Sequence, residues 1–426
     1  MYEQKRTPSA DSTREWAAEQ FASANFGDIR RRRRASLMLR RVAERPAGKL
    51  TDVFTAASEL QGAYDFIESE VPTKAITTAL ADASLRAVGD ASWVYAVIDG
   101  TSLSLVDRTK TKGFGTIGKQ VLPTRGLKVI DALAVAADGA PVGLLDLEWW
   151  ARSSTASRTR YARRRTGETE TKHWVEVVRR TGARFREGAP KCAPWFVIDR
   201  EGDCADILRA VALPGQRFTI RATQNRRVVR PKGGRRRLFE HLRKQPLLGA
   251  HVVNVPAGPN RRARVAMLEV RSADVVVELP DNVTGRRTEL PVHVVWARER
   301  RAPRGETRLD WMLLTSEEVG TLEGAVTIGH LRHDEPFAAE RVRDDLADAS
   351  LVVDDQDVRL VGRRIHRALA AAAAPPRNLR LFICEQCVGM GDPPLLEPRT
   401  RPCGPMFGMQ GANALQIFLA GCANEG

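Results

Sequence analysis

Two aspartates define the chemistry open to this chain. Asp99 closes the run WVYAVID, and Asp199, one hundred residues on, closes APWFVID. Both runs are apolar and rich in β-branched residues, so each is expected to form a strand, with the two carboxylates at the tips of neighbouring strands over a shared cleft. Such a pair offers hard oxygen ligands to Mg²⁺, with Mn²⁺ as a substitute, and ions roughly 3.5–4 Å apart can clamp both oxygens of a phosphodiester displacement. Glu201 and Asp203 follow in DREGD. They are placed to orient water or to cap the next helix, and capping is the expectation for Asp203.

The rest of the composition suits a polyanionic substrate. Sixty-seven Lys and Arg against 52 Asp and Glu leave a net charge of +15. No run of about 18 apolar residues is present, so nucleic acid is the expected partner rather than a membrane. At 426 residues the chain exceeds the usual single core, and two or three domains are expected. The N-terminal MYEQKRTPSADSTREW lacks the apolar stretch of a signal peptide, and six clustered cysteines fit a reducing cytoplasm better than a disulfide framework.

The elements that must position the aspartates can be read from periodicity. Residues 14–70 have helical spacing, with Asp28 as a cap and five consecutive arginines, Arg30 to Arg34, behind it. A helix spreads such a run around its axis, so only part of it can face one phosphate groove; Arg30, Arg31, Arg33 and Arg34 are assigned to DNA. Residues 93–150 read as an antiparallel meander in which WVYAVID and TSLSLVD are separate strands and Ala137-Asp138-Gly139 is a turn. In it, alternation sends one of Trp149 and Trp150 into the core. A basic helix is expected within 151–190, then strand, turn and helix through PWFVIDREGDCADILRAV. Residues 216–315 hold short alternating runs, among them ARVAMLEVR and DVVVELP, that suggest an inserted small sheet. Arg221 and Arg226 at its head are read as DNA contacts.

Several strings in order, FASANFGD, QGAYDFI, IDGTSLS, LEWWARS, IDREGD, LFEHLRKQP, RGETRLDWMLLTSE and VGTLEGA, resemble DDE transposases of insertion-sequence family four, the Tn-five-like branch. The resemblance covers residues 14–325. It implies an α/β protein with a ribonuclease H-like catalytic core, an N-terminal helical DNA-binding domain and an inserted β-rich subdomain. The corresponding segments are 1–75 for DNA binding, 76–215 for the first part of the core, 216–315 for the insert and 316–426 for a divergent end. It further implies two Mg²⁺ ions held by three acids, of which Asp99 and Asp199 match the first two. Trp311 matches a tryptophan that stacks on an unstacked base near the transposon end, although a core aromatic on a strand is the alternative. Members act in pairs on double-stranded DNA, transposon ends and target DNA, in the bacterial cytoplasm, at the nucleoid.

The third signature of that family departs here. Its tyrosine, arginine, glutamate and lysine fall on Arg332, Glu335, Ala339 and Leu346. Residues 329–426 carry 11 arginines, no lysine and 13 acids, a net −2, leaving +17 on residues 1–328. A frameshift near 329 is one reading. The other keeps Glu340 as a replacement third acid, one position late and so turned by ~100° on a helix. Homodimerisation depends on the same region. Cys384 and Cys387 form a CxxC, but Cys403 and Cys422 are single, so the second half of a zinc site lacks the paired spacing.

Overall fold

The computed structural model describes residues 10–45, 50–105, 113–117, 124–152, 169–229, 235–255, 257, 262–281 and 284–328. They form two compact units. One holds residues up to 90 together with 101–152, and the other holds 91–100 together with 169–328. The protein is mixed α/β, with helices first and a large sheet after them.

The first unit opens with α1 (Ala10–Gln20), α2 (Ile29–Glu44), α3 (Leu50–Val53), α4 (Ala57–Ile67) and α5 (Thr73–Val88). Asp28 caps α2 as expected, its carboxylate accepting the Arg30 N–H at 2.7 Å. Ala35, Met38, Leu39 and Val42, at helical spacing, form the buried face of α2. The rings of Phe21 and Phe66 lie 5.9 and 6.1 Å from that of Phe26. The Arg41 guanidinium grips the Glu59 carboxylate in a fork, Nε at 3.0 Å and Nη2 at 2.7 Å, tying α2 to α4. Strands β2 (Gly115–Ile117), β3 (Thr124–Val135) and β4 (Pro141–Trp150) complete this unit, with the expected turn closing β3–β4 through Ala136 N–H to Ala140 C=O at 2.8 Å. The α5 hydroxyl of Ser84 donates to Leu144 C=O at 2.7 Å and fastens helix to strand. Trp149 and Trp150 are both half-buried, so neither is the core residue that simple alternation assigns; both lie at the end of β4, past its buried stretch Leu144–Leu147.

The second unit is built on parallel strands. β1 (Trp93–Ser104) pairs with β5 (Ala193–Ile198), and β5 with β6 (Arg217–Arg221). Trp195 Nε1 donates to Thr219 Oγ1 at 3.0 Å, and Phe196, Ile198 and Ile220 are fully buried, as residues in a parallel sheet covered on both faces must be. Helices α6 (Thr171–Gly188) and α7 (Ala205–Val211) pack against one another, and α6 also packs on β5. Beyond β6 the order continues through β12 (Asp310–Thr315), β11 (Arg287–Glu299) and β10 (Arg264–Pro280), all antiparallel. β7 (Arg227–Val229) and β9 (Gly249–Val255) share the far edge of β10, and β8 (Arg235–Arg237) pairs with β7.

Two strand readings need correction. WVYAVID and TSLSLVD are one strand, because β1 runs unbroken through Asp99 and Gly100 to Ser104. ARVAMLEVR and DVVVELP also fuse into β10, where Ser272, Ala273 and Asp274 pair with Val295, Val294 and His293. Gly100 between the first pair of runs does not break the strand, no proline or glycine lies between the second pair, and polar residues persist in a strand when a neighbour satisfies their backbone. The separate small sheet expected within 216–315 is therefore continuous with the parallel strands, through β6 and β12.

Candidate active site and nucleic-acid interface

The parallel pairing of β1 with β5 ends at Ile98 and Ile198. Asp99 and Asp199 are the next residue on each strand. Neighbouring strands lie about 4.8 Å apart, so the two aspartates follow adjacent backbone positions at the end of the paired stretch. Asp199 sits at a strand tip as expected, whereas Asp99 lies within β1, at the point where β5 stops being its partner. Both are half-buried, and Asp99 Oδ1 accepts the N–H of Gly100 at 2.8 Å.

Three residues from other elements close around the pair. Arg221, the last residue of β6, brings Nη1 to 3.5 Å from Asp199 Oδ1 with its side chain 8% exposed. Trp174 of α6 and Glu201 of the short turn after Asp199 both approach Gly100. A Cβ on Gly100 would stand 2.7 Å from Trp174 Cζ2 and 3.3 Å from Glu201 Oε2, so a larger residue there would force the ring or the strand to shift. Trp174 is buried and had no motif to mark it, since the closeness exists only once folding brings α6 to Gly100.

Asp203 has a different role from the one expected. Cys204 caps α7, its sulfur accepting the Ile207 N–H at 3.5 Å, and burial pushes the Cys204 thiol pKa upward. Asp203 is instead completely buried, and its carboxylate accepts the N–H groups of Thr223 and Gln224, both at 2.6 Å. Its other oxygen binds Arg226, whose side chain is 4% exposed. The buried pair ties the loop after β5 to the loop after β6, and it commits the Arg226 guanidinium to Asp203 rather than to DNA. A buried carboxylate requires such donors, and Arg226 supplies the charge.

The arginine run divides as helical geometry requires. Arg30 and Arg33, one turn apart, are exposed. Arg31 donates to Phe26 C=O at 3.3 Å and Arg32 to Ala22 C=O at 3.2 Å, bracing the loop before α2. Arg34 lies across α4, where a Cβ on Gly62 would fall 2.2 Å from its guanidinium carbon. Trp311, in β12 opposite Ala297, is 4% exposed and forms part of the core.

Among the described residues no group of three His, Cys, Asp or Glu is arranged around a cation position. Two carboxylates at one edge suit a divalent cation in donor type. Glu340, the four C-terminal cysteines and the rest of 329–426 lie outside the described residues. No helix among the described residues is long and apolar enough to cross a membrane.

Comparison with known families bears on the helical segment that carries the arginines. Residues 13–71 match the family model for transposase DNA-binding. The match spans α2 and α4, with Arg30 and Arg33 on its surface and the Arg41–Glu59 fork inside it. It supports a transposase that binds DNA, and the mixed α/β architecture is compatible with one. The basic balance of the chain is in keeping with DNA as its partner, and two of the five consecutive arginines in the matched segment, Arg30 and Arg33, are exposed.

Proposed function

We propose that the chain is a DDE-type transposase of insertion-sequence family four, binding transposon-end DNA, cleaving a phosphodiester and joining the freed end to target DNA. The single observation that supports this reading is the parallel register of β1 with β5, which ends at Ile98 and Ile198, one residue before Asp99 and Asp199. In the proposal the parallel strands belong to a ribonuclease H-like core, and β7 to β12 elaborate it.

Asp99 and Asp199 would hold Mg²⁺, which when bound supplies charge stabilisation to the phosphoryl oxygens and makes water a competent nucleophile at neutral pH. The protein's own contributions are positional. Gly100 lets Trp174 and Glu201 approach the pair. Asp203 and Arg226 fix the loops on which Asp199 and Arg221 end. Glu340 is the third acid in this reading. The exposed arginines of α2 hold the DNA backbone, a contact that positions without reading sequence.

The test is cleavage of DNA carrying the element's ends in the presence of Mg²⁺. Asp99→Ala and Asp199→Ala should each abolish nicking and leave end binding intact. Nicking by either variant at the parental rate would remove the carboxylates from the mechanism.

A second reading has its own support. The family's third signature is absent and Arg221 already faces Asp199, so the chain could be an end-binding remnant that competes with an active relative. End binding without any metal-dependent nicking by the parent protein would establish it.

A further inference from the structure

The second unit contains a groove of about 1050 Å³ that the proposed chemistry does not use. It opens beside the loops after β5 and β6, where Cys204 and Gln224 line it, and it runs between α6, α7 and the β7–β8 hairpin. Its acids are largely engaged: Asp206 lies 2.8 Å from Arg209, and Glu278 is paired with Arg287. Its cations are in excess. Lys172 and Arg179 are exposed on α6, and Arg227 and Arg237 stand directly opposite one another in the β7–β8 register.

That last pairing is unfavourable by itself. Like charges opposed across two strands repel, and the Arg237 guanidinium donates to a neutral acceptor, the Asn225 C=O at 3.0 Å, which does not offset its charge. An anion seated between them relieves the repulsion. The described residues lining the groove include no aromatic side chain, so it offers no stacking platform for an unstacked base. Amides and guanidinium groups along an open channel suit sugar-phosphate backbone instead.

We infer that this groove holds the backbone of duplex DNA independently of sequence, with Lys172, Arg179, Arg227 and Arg237 on its phosphates, and so serves DNA other than the transposon end. The inference rests on the reading of the chain as a DNA-joining transposase, which needs a second DNA. It is tested separately from that reading, through binding alone.

The experiment measures affinity of the full-length protein for a random-sequence duplex in EDTA over a range of salt. Lys172→Ala/Arg179→Ala and Arg227→Ala/Arg237→Ala should each weaken binding, with the log–log salt slope shallower by about 1.8, or ~0.9 per phosphate contact. Arg227→Lys/Arg237→Lys keeps the charge and should keep most of the slope. The α6 pair is on an exposed helix surface, so its loss cannot be ascribed to unfolding of the hairpin. Parental affinity and slope in both alanine pairs would overturn the inference. Loss of binding to poly-glutamate with DNA binding unchanged would overturn it too, in favour of an acidic protein partner. Because no cleavage is involved, inactivity of the Asp99–Asp199 pair leaves this readout untouched.

Discussion

Asp99 and Asp199 each follow the last paired residue, Ile98 and Ile198, of two adjacent parallel strands, and Gly100 next to the first lies against Trp174. The carboxylate pair is thereby positioned by backbone register on one side and by a buried indole on the other.

Gly100→Ala is expected to disturb that edge without removing a carboxylate. A Cβ 2.7 Å from Trp174 Cζ2 forces a shift of strand or ring. Overpacking of this kind costs about 1–3 kcal/mol. Thermal unfolding should register the loss, and nicking should fall more than end binding. A Trp174→Ala change in the same background should recover part of the nicking by making room.

The arginine run should separate into two phenotypes. Arg30→Ala/Arg33→Ala is expected to weaken DNA binding uniformly across sequences and make the salt slope shallower by about 1.8 with little change in melting temperature. Arg34→Ala should act mainly on the helical packing, since Arg34 covers α4 at Gly62. Salt-dependent binding isotherms and melting curves for the two variants distinguish surface charge from packing.

Asp203→Ala leaves Arg226 as a buried cation and removes the acceptor for Thr223 and Gln224. Breaking one side of a buried pair costs about 3–5 kcal/mol. Chemical denaturation should show a loss of that order. A much smaller loss would mean that water reaches Arg226.

The Arg41–Glu59 fork makes α2–α4 packing pH-dependent. Hydrogen bonding from Arg41 holds the Glu59 carboxyl below its ordinary value of 4.5, against the opposing effect of burial. A carboxyl depressed on folding contributes stability that is complete above the unfolded value and is lost as pH falls through the folded one. Melting temperature should therefore drop below about pH 4.5 more steeply in the parent than in Glu59→Gln. At pH 7 the variant should already be the less stable, by on the order of 1 kcal/mol.

Trp311→Ala should destabilise the protein by about 3–5 kcal/mol, because the indole is 4% exposed in β12. Unchanged melting with impaired end processing would instead favour a base-stacking role.

Much of this was legible in order along the chain. The apolar runs before Asp99 and Asp199 marked strands, the Asp28 cap and the helical spacing over residues 14–70 marked the N-terminal helices, and the charge excess pointed to DNA. These features depend on local periodicity and on composition, which a single chain displays openly. The merging of short runs into β1 and β10 was not legible, because a strand's length is set by the neighbour that satisfies its backbone.

The sequence by itself determined which residues could do chemistry: two carboxylates at the ends of apolar runs, an arginine cluster behind a helix cap, and a basic charge over residues 1–328. Tertiary structure alone decided their partners. The β1–β5 register ends one residue before Asp99 and Asp199, burial turned Asp203 and Arg226 inward, and Trp174 closed the space beside Gly100. Those outcomes depend on contacts between residues far apart in the chain, whose energies arise only when packing excludes water and leaves each buried charge to find its counterpart.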